Sequence, residues 1–177
     1  VATGYVILPV FGGHAPDGSG TVNNPARPEL TVSSGSQTTN AAKVTWPTLL
    51  FAGATADEHW EWSFHLPGDY ASGGTLRLTF STKGTSTNGV TMKGAACCLV
   101  VGTTDMDSAI YDTVVTANGT PSATQGITTQ ITLPLTMTNA AANRPINVMV
   151  GRDQDNGSDT NTNDLVLLAA SFEYTTT

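Results

Sequence analysis

Short runs of β-branched, aromatic and aliphatic residues recur along the whole chain, and the intervals between them are dense in Gly, Asn, Asp, Pro and Ser. This alternation constrains the fold more than any single motif does. The runs at 3–10, 28–34, 43–51, 57–66, 74–82, 90–102, 110–117, 126–135, 145–152 and 164–174 read as about ten strands. Their separators, among them "LPGDYASGG" (66–74), "STNG" (86–89), "TANGTPSATQG" (116–126) and "DQDNGSDTNTND" (153–164), are turn chemistry. The spacing predicts an all-β antiparallel sandwich or jelly roll. Only 103–110 and 138–144 have helical character, and both are too short to hold as stable helices. The near-continuous apolar run "LVLLAASFEY" is what a central strand covered on both sides shows.

A length of 177 residues corresponds to one domain, 1–177, large enough to bury a core without disulfides or metals. Charged residues form 12% of the chain, half the usual share of about 25%, so the surface is neutral and polar. Seven Lys and Arg against fourteen Asp and Glu give a net charge of −7 with no basic cluster, which excludes electrostatic nucleic-acid binding. The opening "VATGYVILPVFGG" has no basic leader or cleavage pattern, and its apolar run is too short to span a membrane, so a soluble chain without an export signal is expected. Residues 11–42 hold few apolar side chains beyond Phe11, Val22, Leu30 and Val32 and are expected to be an extended arm or lid ordered by a neighbour. Cys97 and Cys98 are adjacent, point to opposite faces of a strand and are expected to stay unpaired.

The stretch "DEHWEWSFHLPGDY" (57–70) raises the question of chemistry. As a strand it places Glu58, Trp60, Trp62, Phe64 and Leu66 on a core face and Asp57, His59, Glu61, Ser63 and His65 on the other. Two carboxylates and two imidazoles in a row could be an active site, a metal site, a subunit contact or a solvated surface. A glycosidase needs a second carboxylate from a facing strand, and 74–82, 126–135 and 145–152 are acid-free. No HxH or HExxH motif supports zinc, and no serine sits in a G-x-S-x-G turn. The polar stripe is therefore read as surface or subunit interface. The loop 152–164 offers Asp153, Asp155, Asp159 and Asp164 with Asn156, Asn161 and Asn163, a hard-oxygen set that suits calcium but departs from the EF-hand pattern at Gly157 and Ser158, and a solvated hairpin loop is the preferred reading. Asn118-Gly119-Thr120 and Asn156-Gly157-Ser158 match the glycosylation pattern but are read as turns. No residue is assigned a catalytic, cofactor-binding or metal-binding role, no cofactor is expected, and the chain is read as non-enzymatic.

Phe64, Leu66, Pro67, Asp69, Tyr70 and Gly73 form an "F-x-L-P-x-D-Y-x-x-G" turn, and Val150, Arg152, Asp153, Asp164, Leu165, Glu173 and Tyr174 form a "V-x-R-D...D...L...E-Y" ending. On these residues the chain resembles a group of small all-β proteins encoded among the structural genes of tailed bacteriophages. It departs from that group at "AACCLVVG", where an aromatic contact is common. The resemblance implies a jelly-roll virion component, a capsid decoration or tail-associated accessory protein, made in the host cytoplasm. It further implies the major capsid protein or other virion proteins as partners and a homo-oligomer, with a trimer favoured and no nucleic acid or membrane contact. The alternative is a carbohydrate- or receptor-binding module of a phage tail or fibre, for which Trp46, Trp60 and Trp62 would be stacking platforms. Burial of Trp60 and Trp62 would remove the best of those platforms.

Overall fold

The computed structural model describes residues 2–16, 24–32, 45–53 and 57–177. Eleven strands form two sheets: β1 (Thr3–Leu8), β2 (Asn24–Pro25), β3 (Arg27–Val32), β4 (Thr45–Phe51), β5 (Glu58–His65), β6 (Tyr70–Thr82), β7 (Val90–Cys98), β8 (Val115–Gly119), β9 (Thr129–Pro134), β10 (Pro145–Arg152) and β11 (Leu165–Thr176). One sheet runs β3-β4-β11-β6-β9, with β1 joining β11 beside β4; the other runs β2-β5-β10-β7-β8. Every pairing is antiparallel except the two-residue β2 against β5. The architecture is the expected all-β jelly-roll sandwich.

Alternation decides which side chains meet between the sheets. From one sheet come Leu76, Leu78 and Phe80 of β6 with Leu165, Leu167 and Phe172 of β11, all fully buried. Facing them are Trp60 and Trp62 of β5, Val148 and Val150 of β10, and Met92 and Ala96 of β7. Gly94 of β7 belongs to this inner face, and a Cβ there would press on Leu76, Leu133 and Leu135. The C-terminal run does form the central strand, flanked by β6 on one side and by β4 and β1 in succession on the other.

The turn and ending quoted above meet in space. The Tyr174 hydroxyl donates to Asp69 Oδ1 (2.8 Å) and the Tyr174 ring lies 5.8 Å from that of Tyr70. Phe172 packs edge-on to Phe64 at 5.6 Å. Glu173 pairs with Arg77 across β6. These residues tie the β5–β6 corner to the end of β11.

Two strand expectations change, and the two segments of helical character form no α-helix, as their length implies. The run 90–102 stops as a strand at Cys98: the Leu99 N–H still donates to the Pro145 carbonyl in register, but proline has no N–H to return the bond, and Gly102 adopts a left-handed φ of 79°. The run 110–117 is a strand only from Val115. The 103–110 segment holds one short 3₁₀ turn, Met106–Ser108, capped by Asp105. The 138–144 segment is turns, with Asn139 and Asn143 at φ 61° and 62°.

Of the stretch read as an arm, residues 17–23 and 33–42 lie outside the described residues. The described parts are paired within the chain. His14 exchanges both backbone hydrogen bonds with Glu61, Ala26 N–H donates to the His59 carbonyl, and β3 pairs along β4. Ala26 belongs to the core; just before the stretch, Val10 does too, and the Trp62 indole N–H donates to the Pro9 carbonyl (2.8 Å). This segment thus closes the open edge of β5, where unpaired backbone would otherwise face water.

Candidate functional site

The face assignment for β5 puts Trp60, Trp62 and Leu66 inside, at 5%, 2% and 1% exposure. Glu58 follows them to the sandwich margin, where its carboxylate accepts from the Ala52 N–H (2.6 Å) and burial pushes its pKa up. The outward stripe is not uniformly surface. Ser63 and His65 are exposed, but His59 is 7% exposed, its ring lying over Gly151 where any Cβ would collide with it. Burial, with Lys93 nearby, holds the His59 pKa below its ordinary value, and its Nδ1 has no hydrogen-bond partner. The surface-or-interface reading therefore fails for His59, because the β10 register sets Gly151 opposite it and the ring folds into that gap.

Register brings Ser63 of β5, Asn147 of β10 and Cys97 of β7 into one row on the outer face of this sheet. Glu61 begins the next row. Over them the chain between β7 and β8 leaves the sheet and returns. It is pinned by the Asp112 N–H on the Ala96 carbonyl (2.8 Å) and by Asp112 Oδ2 accepting from the Thr138 N–H (2.8 Å). Between loop and sheet lies a cleft of about 600 Å³. Its floor is Glu61, Ser63, Cys97 and Asn147, and its wall is Leu99, Met106, Ala109, Ile110 and Tyr111.

The floor is a connected polar network. The Tyr111 hydroxyl donates to Asn147 Oδ1 (2.7 Å), and Asn147 Nδ2 donates to Ser63 Oγ (3.1 Å) and Glu61 Oε2 (3.3 Å). His14 Nδ1 lies 3.8 Å from the same Glu61 oxygen. Burial and then the Glu61 carboxylate push the Tyr111 phenol far above its usual range, so it stays a neutral donor. Burial and Asp112 push the Cys97 thiol up. Glu61 is the single carboxylate lining the cleft, and no Lys or Arg lines it among the described residues.

The acidic loop 153–164 is organised from inside. Arg152 is fully buried and donates to Asp159 through Nε and Nη2 (both 2.9 Å), to the Asn163 carbonyl (2.8 Å) and to the Asn161 carbonyl. Asp164 accepts from the Gly53 N–H (2.9 Å). Of the four aspartates counted together in the sequence, Asp159 and Asp164 are thereby drawn away, while Asp153 and Asp155 stay together. A different group, Asp57, Asp153 and Asp155, has carboxylate oxygens within 4.8 Å of one another. Lys93 sits on Asp57 and 3.6 Å from Asp153, so one ammonium offsets part of that charge. Burial works to raise the Asp57 pKa, but the Lys93 bond and charge with the Gln154 N–H together hold it below the ordinary carboxylate value.

No family model matches the chain, and no curated protein matches it. Among solved structures, it is similar to the CBM22-2 xylan-binding domain of Paenibacillus barcinonensis Xyn10C (TM-score 0.45, 11% identity, covering 91% of this chain and 98% of that one). It is also similar to the arabinose-bound MgGH51 α-L-arabinofuranosidase (0.47, 13%, 84% and 22%). A third is the enzymatically active domain of the bacteriophage CBA120 tailspike protein 4 (0.37, 13%, 80% and 17%). The structural neighbours thus include carbohydrate-binding modules, an arabinofuranosidase and a phage tailspike domain, and the chain spans about a fifth of the length of the arabinofuranosidase. At these identities the likeness concerns architecture alone.

Proposed function

We propose that this protein is a non-catalytic carbohydrate-binding module whose ligand lies in the cleft on the outer face of the β2-β5-β10-β7-β8 sheet. The observation that carries this is the pairing of a polar floor, Glu61, Ser63 and Asn147 joined to the Tyr111 hydroxyl, with an apolar wall of Leu99, Met106 and Ile110. A sugar ring has the matching character, with hydroxyls around its rim and C–H groups on its faces. Ligand sites are generally concave, mostly apolar, and fixed by a few placed polar groups. Trp60 and Trp62 take no part, since both are buried; the stacking surface is Tyr111 and the aliphatic wall instead. A single lining carboxylate provides no acid–base pair for glycosidic cleavage. Isothermal titration against an oligosaccharide panel tests this: binding lost in Asn147→Ala and Tyr111→Phe, with the fold unchanged, supports it, and equal binding by these variants removes it.

A second reading, a virion structural protein, is favoured by a separate patch. Ile7, Phe11 and Pro47 border one shallow recess, Leu30 pairs with Pro47, and Ile7, Phe11 and Leu30 are 71%, 51% and 62% exposed. Such a patch suits contact with a shell protein or a further copy of the chain. Co-sedimentation of the protein with the particle, abolished by Ile7→Ser with Leu30→Ser, tests it.

A further inference from the structure

We propose that the cleft selects uncharged glycans and refuses those carrying carboxylate or sulfate groups; this rests on the carbohydrate reading above. Glu61 is largely sheltered, its side chain 17% exposed, and it stands at the cleft floor. Among the described residues, no Lys or Arg lines the cleft beside it. The imidazoles nearby are His14, 3.8 Å from Glu61, and His65 on the lining. The fixed cations of the described residues are engaged elsewhere: Lys93 with Asp57, Lys83 with Glu29, Arg77 with Glu173, Arg152 with Asp159, and Arg144 with the Asn139 carbonyl. Arg27 lies on β3, in the other sheet. On the loop that walls the cleft, Asp105 and Asp107 are both exposed and add negative charge to the rim.

A uronate entering this cleft would give up water with no guanidinium or ammonium to replace it, and would do so facing the Glu61 carboxylate. Like charges so placed are strongly unfavourable, and an unpaired buried charge is costly by itself. A neutral sugar meets no such opposition. Its hydroxyls can donate to the free lone pairs of Glu61 and Ser63, which is what a carboxylate on the floor accepts best. The whole chain, at −7, adds to the field against anionic polymers.

The test titrates the full chain with neutral cello-, xylo- and manno-oligosaccharides and with oligogalacturonate of matched length, at about pH 8, above the ordinary histidine range. The expected result is measurable binding of at least one neutral ligand and about tenfold or weaker binding of oligogalacturonate. Glu61→Gln should narrow that gap by removing the opposing charge, and Ser63→Arg should narrow it by supplying a cation. Oligogalacturonate binding as tightly as the neutral ligands, or a gap unmoved by both substitutions, overturns the selectivity while leaving the cleft reading in place. Failure of every oligosaccharide to bind overturns both.

Discussion

Asp159→Asn should be among the most damaging single-atom changes in this protein. Arg152 is fully buried, and its partner Asp159 is 2% exposed at the side chain. The Asp159 carboxylate accepts two hydrogen bonds from the guanidinium and a third from the Thr91 N–H (3.0 Å). The amide keeps one acceptor oxygen, turns an NH₂ group toward the cation, and leaves Arg152 with its charge uncompensated in the interior. Breaking a buried pair in this way costs about 3–5 kcal/mol. At about 2–4 °C per kcal/mol for a chain of this size, the melting temperature should fall by about 6–20 °C. Urea unfolding followed by fluorescence of the buried Trp60 and Trp62 measures it directly. Arg152→Met with Asp159→Leu should recover part of the loss, since an apolar pair needs no charge compensation; recovery stays partial because the Asn161 and Asn163 carbonyls lose their donor. A loss below about 1 kcal/mol in Asp159→Asn would refute the claim that an internal guanidinium holds this loop.

Calcium or EDTA should leave the melting temperature unchanged, because Arg152 already holds Asp159 and Lys93 already engages Asp57 and Asp153; a large drop with EDTA would contradict that. Trp62→Ala should cost about 3–5 kcal/mol in urea unfolding, whereas Glu61→Gln should cost under about 1 kcal/mol; equal effects would overturn the face assignment. Gly13→Ala should destabilise by about 1–3 kcal/mol, since its Cβ would overlap the Glu61 carbonyl oxygen and the Trp60 indole nitrogen, although its backbone at φ −98° suits any residue. Burial pushes the Cys98 thiol from 9.0 to about 11, so the unfolded chain loses that proton first and stability should decline as pH rises between those values. Cys98→Ala should flatten part of this decline in pH-dependent unfolding, the remainder belonging to tyrosines whose pKa values are also raised.

Period-two patterning made most of the sandwich legible. β10 occupies the whole of the predicted 145–152, and β11 and β5 differ from their predicted bounds by one or two residues, because each of these strands carries its own apolar alternation or run. β2 left no such signal, since Asn24-Pro25 is two residues long and takes its place by pairing at the β5 edge. The cleft was illegible for a different reason. Glu61 and Asn147 are 86 positions apart, and only the β5–β10 register joins them. Tyr111 lay inside a run with strand composition, and its diversion into the wall is fixed by the Asp112 anchor to Ala96 and Thr138, a tertiary effect. The acidic loop misled because aspartates were counted as free. Arginine is seldom fully buried, so nothing local announced that Arg152 would take Asp159 inward.

The central claim, that the outer-face cleft is a glycan site, is tested most directly by amide chemical-shift mapping of the full chain during titration with a neutral oligosaccharide that binds. The account predicts saturable shifts concentrated at Glu61, Ser63, Asn147 and the 99–111 wall, with the outer face of the β3-β4-β11-β6-β9 sheet unmoved. Shifts centred on Ile7, Leu30 and Trp46 instead, or none at saturating ligand, would contradict it.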